Sequence, residues 1–420
     1  MRLYTMSNKI ALFLLCMLFL VGCAQKEVEI PPSEPESIVV LENESSPSPH
    51  QEVIKAISAP AENNQTEEKV ELTFEQAVWK KRIDAAMAPS YCPPVEKQTY
   101  PENYYRGPLI DTHLHLPAIP DSMPEEGEAN YNYEDNEEGA FGGPAALLGK
   151  NVKMSEIACT LQREGTTKNF AFFPIYQEIT AQSLEIAKKS MEQYPNLFIP
   201  FIMPPTEDTP TVDAKVLKRM LNVYPNLFQG YGEVGSSPTE EKNPPPDDPL
   251  YLENYKLARE HHLMVYYHPG RNQVNNWERV LQQHPDIIFI VHAEELEEDI
   301  DTLMTKYPNI YFTANPQFHQ HFRLYVGKSK EEFLKAAEND FNNLIAKDLR
   351  RWETSIEKHP DRFMWGTDRG DAVWNYDVDV GLFLVKYARA FIGRLDPSVQ
   401  ENVGYKNAER LIEMNKKIDD

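Results

Sequence analysis

The chain has 420 residues, a formal net charge of −23 and 41% hydrophobic residues. That length accommodates one large domain plus appendages, and the composition is ordinary for a globular protein. The acidity argues against a nucleic-acid partner, because a polyphosphate would be repelled; a small anionic ligand stays open, since a bound cation would set the field in its own site.

The first elements concern targeting. Arg2 and Lys9 precede an apolar run, Ile10 to Val21, which is short for a membrane-spanning helix and right for a signal-peptide core. It ends Leu20-Val21-Gly22-Cys23, which resembles the bacterial lipoprotein signal. The resemblance implies a signal segment over 1–23 that is cleaved before Cys23, which is diacylated and becomes the new N-terminus, with export and anchoring to the cell envelope; a non-lipidated signal is the alternative. Ala24, in place of Asp, implies the outer membrane if the cell has one. Residues 24–70, rich in Glu, Pro, Ser and Asn without apolar periodicity, read as a disordered linker. The folded body is expected over 71–420, opening with a helix that Thr73 caps and that runs toward Met87 before Pro89. Cys16 lies in the signal, leaving Cys92 and Cys159; export permits a disulfide between them, and two unpaired buried thiols are the alternative.

From Pro108 onward short apolar runs alternate with helical stretches. The runs are Leu109–Thr112, Phe170–Pro174, Phe198–Met203, Gln229–Gly232, Met264–Tyr267, Ile287–Val291, Ile310–Thr313 and Arg362–Gly366. Helical periodicity fills Ile179–Gln193, Ala214–Val223, Leu252–His261, Asn276–Gln283 and Leu296–Lys306. The phrase Tyr-Pro-Asn recurs at 194, 224 and 307 as a helix stop and turn. Eight such units predict an α/β fold, a (β/α)8 TIM barrel. Insertions are expected after the first strand, where Asp121–Gly139 is strongly acidic, and after the seventh, where Pro316–His359 is too long for a simple crossover.

Barrel chemistry sits at the C-terminal strand ends. Along a strand, residues i and i+2 share a face, so His113 and His115 aim two imidazoles into one pocket. Later strand ends supply Glu233, His268, His292 and Asp368. Histidines and carboxylates in this mix suit a divalent cation. A second His-x-His, His319 and His321, falls in a helical stretch, where i and i+2 do not share a face. Arg271 and Arg369 follow two of the proposed ligands and are expected at the pocket mouth as clamps for a substrate carboxylate or phosphate, salt bridges being the alternative. Tyr266 and Tyr267 should face opposite ways.

Asp111-Thr112-His113-Leu114-His115, His268-Pro269, Val291-His292-Ala293, Trp365-Gly366-Thr367-Asp368 and the closing Asn407-Ala408-Glu409-Arg410-Leu411 together resemble the amidohydrolase superfamily, most closely its amidohydrolase-related branch. The resemblance spans about Pro108 to Met414. It implies His113, His115, His268 and Asp368 as ligands of Zn2+ or a similar divalent cation, in one or two ions, with Glu233 as a further ligand where relatives often carry a carbamylated lysine. It implies a hydrolase acting on an amide, lactone or other ester of a small molecule through metal-activated water, with Asp368 as general base and acid and His292 holding a second ion or the oxyanion. A decarboxylase of the same superfamily and a non-catalytic metal-binding surface lipoprotein are the alternatives. Glu294 and Glu295 stand where the branch often has Gly-Gly, which alters the charge of the rim.

Overall fold

The computed structural model describes residues 72–96, 98–117, 152–206, 209–235, 244–292, 296–315, 330–370 and 376–416. Cys23 and the signal, the 24–70 linker, the Asp121–Gly139 insertion, Glu294, Glu295, His319 and His321 lie outside them.

Helix α1, Phe74–Ala86, starts where Thr73 can satisfy its first orphan amides. Thr73 Oγ1 accepts from the Gln76 amide at 3.2 Å, and Gln76 Oε1 accepts from the Thr73 amide at 3.0 Å, a reciprocal capping box. Beyond it, Cys92 is bonded to Cys159, tying this N-terminal segment to helix α2, Met154–Glu164. The bridge closes a loop across a sequence separation of 67, so breaking it frees a large unfolded ensemble. Reduction, or Cys92→Ser with Cys159→Ser, is expected to cost about 2–4 kcal/mol; urea titration with and without reductant measures it.

The barrel then follows in chain order: β1 Ile110–His115, β2 Lys168–Pro174, α3 Thr180–Gln193, β3 Phe198–Met203, α4 Ala214–Val223, β4 Gly230–Val234, α5 Pro249–Glu260, β5 Met264–Tyr267, α6 Val274–Gln283, β6 Phe289–Val291, α7 Glu297–Lys306, β7 Ile310–Ala314, α8 Lys330–Lys358, β8 Phe363–Trp365 and α9 Val378–Ile392. The eight strands pair in parallel in sequence order. β8 closes on β1 through the Asp368 amide to the His113 carbonyl and the His115 amide to the Arg369 carbonyl, both 2.9 Å. The expected (β/α)8 barrel is the observed fold. In the second insertion the described part is one 29-residue helix, α8.

Two apolar layers form because strand residues alternate. Inward side chains such as Ile110, Phe172, Phe201, Tyr266, Ile290 and Met364 fill the barrel; outward ones such as Leu114, Val265, Tyr267, Phe312 and Trp365 pack under the helices. After α10, Pro397–Glu401, and a π-helical turn, Asn402–Lys406, helix α11, Asn407–Lys416, sends Ala408, Leu411 and Ile412 into the inner layer. The Asn407 side-chain amide donates to the carbonyls of Pro360 and Phe363 at 3.0 and 2.7 Å, fixing that helix beside the start of β8.

Two strands break the alternation. Between Asp111 and Leu114, β1 has one residue more than its partner β2; between Tyr231 and Val234, β4 has one more than β5. Each is a bulge of one residue, which reverses the inward parity beyond it. Ile110 points inward on one side of the first bulge and His113 on the other; Gly230 and Glu233 behave likewise around the second.

Candidate metal centre

Six ligand-type side chains converge at the C-terminal end of the barrel in two groups: His113, His115, Glu233 and Asp368, and Glu233, His268 and His292. Parity explains each. Met264 and Tyr266 point inward on β5, so His268 does too; Ile290 on β6 is followed two residues on by His292. Glu233 is delivered by the β4 bulge. Gly232 before it has φ 125° and passes so close to β5 that a Cβ there would stand 2.1 Å from the Tyr266 carbonyl oxygen, so no other residue fits. The floor of the pocket is aromatic: the ring of His113 lies 4.9 Å from Tyr266 and 5.3 Å from Phe172. Tyr267 faces outward, as alternation requires, and its hydroxyl donates to the Pro244 carbonyl at 2.9 Å.

In the first group, His113 Nε2 and His115 Nε2 stand 3.1 Å apart. Glu233 Oε2 is 3.4 Å from the former and 3.0 Å from the latter. Asp368 Oδ1 is 3.1 and 3.5 Å from the same two nitrogens. Ligands held at Zn–N and Zn–O distances of about 2.0–2.1 Å in a tetrahedron are separated by about 3.3–3.4 Å. The measured spacings are those of a coordination shell. The donors themselves suit a cation: two carboxylates are acceptors only, and a neutral imidazole nitrogen carries at most one proton. In the second group, Glu233 Oε1 lies 2.5 Å from His292 Nε2 and 3.0 Å from His268 Nδ1, and those two nitrogens are 3.0 Å apart. Glu233 thus gives one oxygen to each group.

The electrostatics are uneven. Burial pushes the Glu233 carboxyl up, but His292 and hydrogen bonds with His113, His115 and His268 outweigh it and hold the group well below the usual carboxylate range. Burial pushes His292 down to about 4, against the pull of Glu233, so it is neutral at pH 7. His284, behind α6, is also held below its ordinary value by burial and then by Arg259. Unfolded, both imidazoles take up a proton near pH 6.5; folded, they resist. The unfolded state therefore binds more protons as pH falls, and the metal-free protein is expected to lose stability from about pH 6.5 toward pH 4. Urea midpoints at about pH 7.5, 6 and 5 read this out; a flat series contradicts it.

Three placements differ from the sequence expectation or were missed by it. His268 does not join the His-x-His pair; it stands with His292. The barrel order is the reason: β5 lies between β4 and β6, whereas β8 lies beside β1 and brings Asp368 to His113 and His115. Arg369 is not at the pocket mouth. It is 1% exposed and its guanidinium grips Glu164, at the end of α2, through both Nη1 (2.9 Å) and Nη2, with Asp111 Oδ2 at 3.8 Å. It is the next residue after Asp368 and still bridges to Leu114 of β1, so alternation sends it outward under α2. Asn315, not anticipated, completes the pocket: its Nδ2 is 3.0 Å from His292 Nδ1 and donates to Asp368 Oδ2 at 3.4 Å. Its signal was parity, because Tyr311 and Thr313 point inward on β7 and 315 is the next such position. Arg271, after His268, is exposed.

A search of curated protein sequences returns no match. Among solved structures, the chain is similar to a dihydroxybenzoic acid decarboxylase from Polaromonas sp. JS666, solved with manganese and an inhibitor (11% identity, TM-score 0.44, covering 74% of this chain and 98% of that one). It is similar to a 4-oxalomesaconate hydratase from Rhodopseudomonas palustris (14%, TM-score 0.43, 74% and 97%) and to an amidohydrolase from Burkholderia multivorans with bound zinc (12%, TM-score 0.43, 73% and 99%). All three are distant likenesses. The amidohydrolase family profile matches residues 110–413, from the His-x-His strand to the C-terminal helix, and the chain belongs to that family.

Proposed function

We propose that the protein is a metal-dependent hydrolase acting on an amide, lactone or other ester bond of a small molecule. The observation that carries this reading is the division of labour at Asp368: Oδ1 faces the His113–His115 pair, while Oδ2 is turned to Asn315, with His292 Nδ1 4.0 Å away. One oxygen is placed to hold a cation and the other to take a proton. A divalent cation held there, Zn2+ in our reading, supplies Lewis acidity to a carbonyl and acidity to a water. Asp368 accepts the proton of the attacking water and returns it to the leaving group. Asn315 orients that carboxylate. Arg271, on the exposed segment after His268, contacts a carboxylate or phosphate of the substrate.

Glu233 Oε1, His268 Nδ1 and His292 Nε2 fit a second cation, with Glu233 shared between the two. Two ions per chain in wild type and one in His268→Ala is the expected stoichiometry; two ions in both would remove His268 from the site. The test of the activity is a panel of esters, lactones, amides and carboxylated aromatics run in labelled water. Label in the product supports hydrolysis. Release of carbon dioxide with no label in the acid or alcohol assigns the decarboxylase alternative, and full metal content without turnover assigns a binding protein. The export reading belongs to the same proposal: mature protein from the native cell should begin at a diacylated Cys23, detectable by mass spectrometry.

A further inference from the structure

A second cavity lies at the opposite end of the barrel from the metal centre. It is about 550 Å3 and is walled by the segment before β1, by the end of α2 and by the end of α9, within the size range of small-molecule sites. Its charge is unusual for a chain with net −23. Three guanidiniums line it: Arg106, Arg163 and Arg389. Arg389 is 8% exposed; its Nη1 donates to the carbonyls of Tyr105 and Gly107 at 3.1 and 2.9 Å, and its Nε has no hydrogen-bond partner among the described residues. Burial depresses its pKa, with the nearby Tyr100 opposing. Arg163 is half-buried and makes no ion pair among the described residues. Arg106 donates to the Tyr100 carbonyl at 3.2 Å. Of the carboxylates on the wall, Glu164 is taken by Arg369 and Glu96 is exposed. The Tyr100 ring, with the Arg389 guanidinium 5.2 Å from its centroid, adds a flat apolar surface.

A buried guanidinium without a carboxylate is costly to keep, and an anion that pairs with it offsets that cost. Guanidinium forks match the geometry of carboxylates and phosphates. We propose that this cavity is a binding site for a small organic dianion, held by Arg163 and Arg389 and separate from the metal centre. The phosphate and the carboxylate forms share that chemistry, and titration distinguishes them.

The experiment is isothermal titration of the oxidised, metal-loaded full chain with inorganic phosphate and, separately, with succinate. At least one is expected to bind wild type with a Kd below about 10 mM. Arg163→Gln, at a half-buried position that a neutral side chain can occupy, is expected to weaken that binding about tenfold or more. His113→Ala should leave it unchanged. Binding of phosphate alone assigns a phosphate ligand, and of succinate alone a dicarboxylate. Absence of binding by both, equal affinity in Arg163→Gln, or loss of binding in His113→Ala would each overturn the proposal, the last because the anion would then sit at the metal centre.

Discussion

Asp368→Asn should lower turnover by about 10²–10⁴-fold, the span expected when a positioned acid–base group is removed, while the protein stays folded. The backbone argument for folding is local. Asp368 has φ 51° and donates its amide to the His113 carbonyl at 2.9 Å; Asn tolerates the same left-handed conformation and keeps the same amide. The chemical argument is that an amide cannot take a proton from water, and that a donor set with two carboxylates becomes one with a single negative charge. Metal content should fall in parallel. Measuring metal by mass spectrometry beside kcat on a panel substrate separates the two: metal retained with turnover lost assigns proton transfer to this residue, and unchanged turnover removes it from the chemistry.

The largest stability effect is expected outside the pocket, at Glu164. Glu164 is 2% exposed, and with Arg369 and Asp111 it forms a buried ionic network behind the ligands. Asp111 Oδ1 accepts from the amides of His113 and Thr367 at 3.0 and 2.9 Å, and its Oδ2 from the Thr367 hydroxyl at 2.6 Å. Glu164→Ala would strand a buried guanidinium, at a cost of about 3–5 kcal/mol. Replacing both partners, Glu164→Leu with Arg369→Leu, should recover part of that loss, since the only charge of the network then left buried is Asp111, which keeps its hydrogen bonds from the His113 and Thr367 amides and the Thr367 hydroxyl. Urea denaturation of the three proteins measures it. Because Thr367 and Arg369 flank Asp368, the single variant should also weaken metal binding in the fraction that folds; an unaltered midpoint would show that water reaches the guanidinium.

Much of this arrangement was legible in the chain. Strands Phe198–Met203 and Met264–Tyr267 were delimited by apolar runs between turn signals and are observed over the same residues. The cap at Thr73 was readable because a cap is a local interaction between neighbours. What escaped was non-local. Partition of the ligands depends on which strands are adjacent around a closed sheet, so His268 was grouped with the wrong histidines. Arg369 looked like a clamp because it follows Asp368, although the two side chains leave the segment after β8 in opposite directions, Asp368 toward His113 and Arg369 toward Glu164. The Cys92–Cys159 bond requires the meeting of two segments that no pattern relates.

The two bulges mean that the ligand geometry rests on local strand pairing as much as on residue identity. Were β4 to pair with β5 at its present length without the bulge, Glu233 would turn out beneath the helices and Val234 into the pocket. A natural or engineered sequence carrying all six ligand types but a side chain at position 232, where only glycine can approach the Tyr266 carbonyl, should lose that bulge and bind metal poorly, so loss of this glycine in an alignment would identify members of the fold that have lost the chemistry.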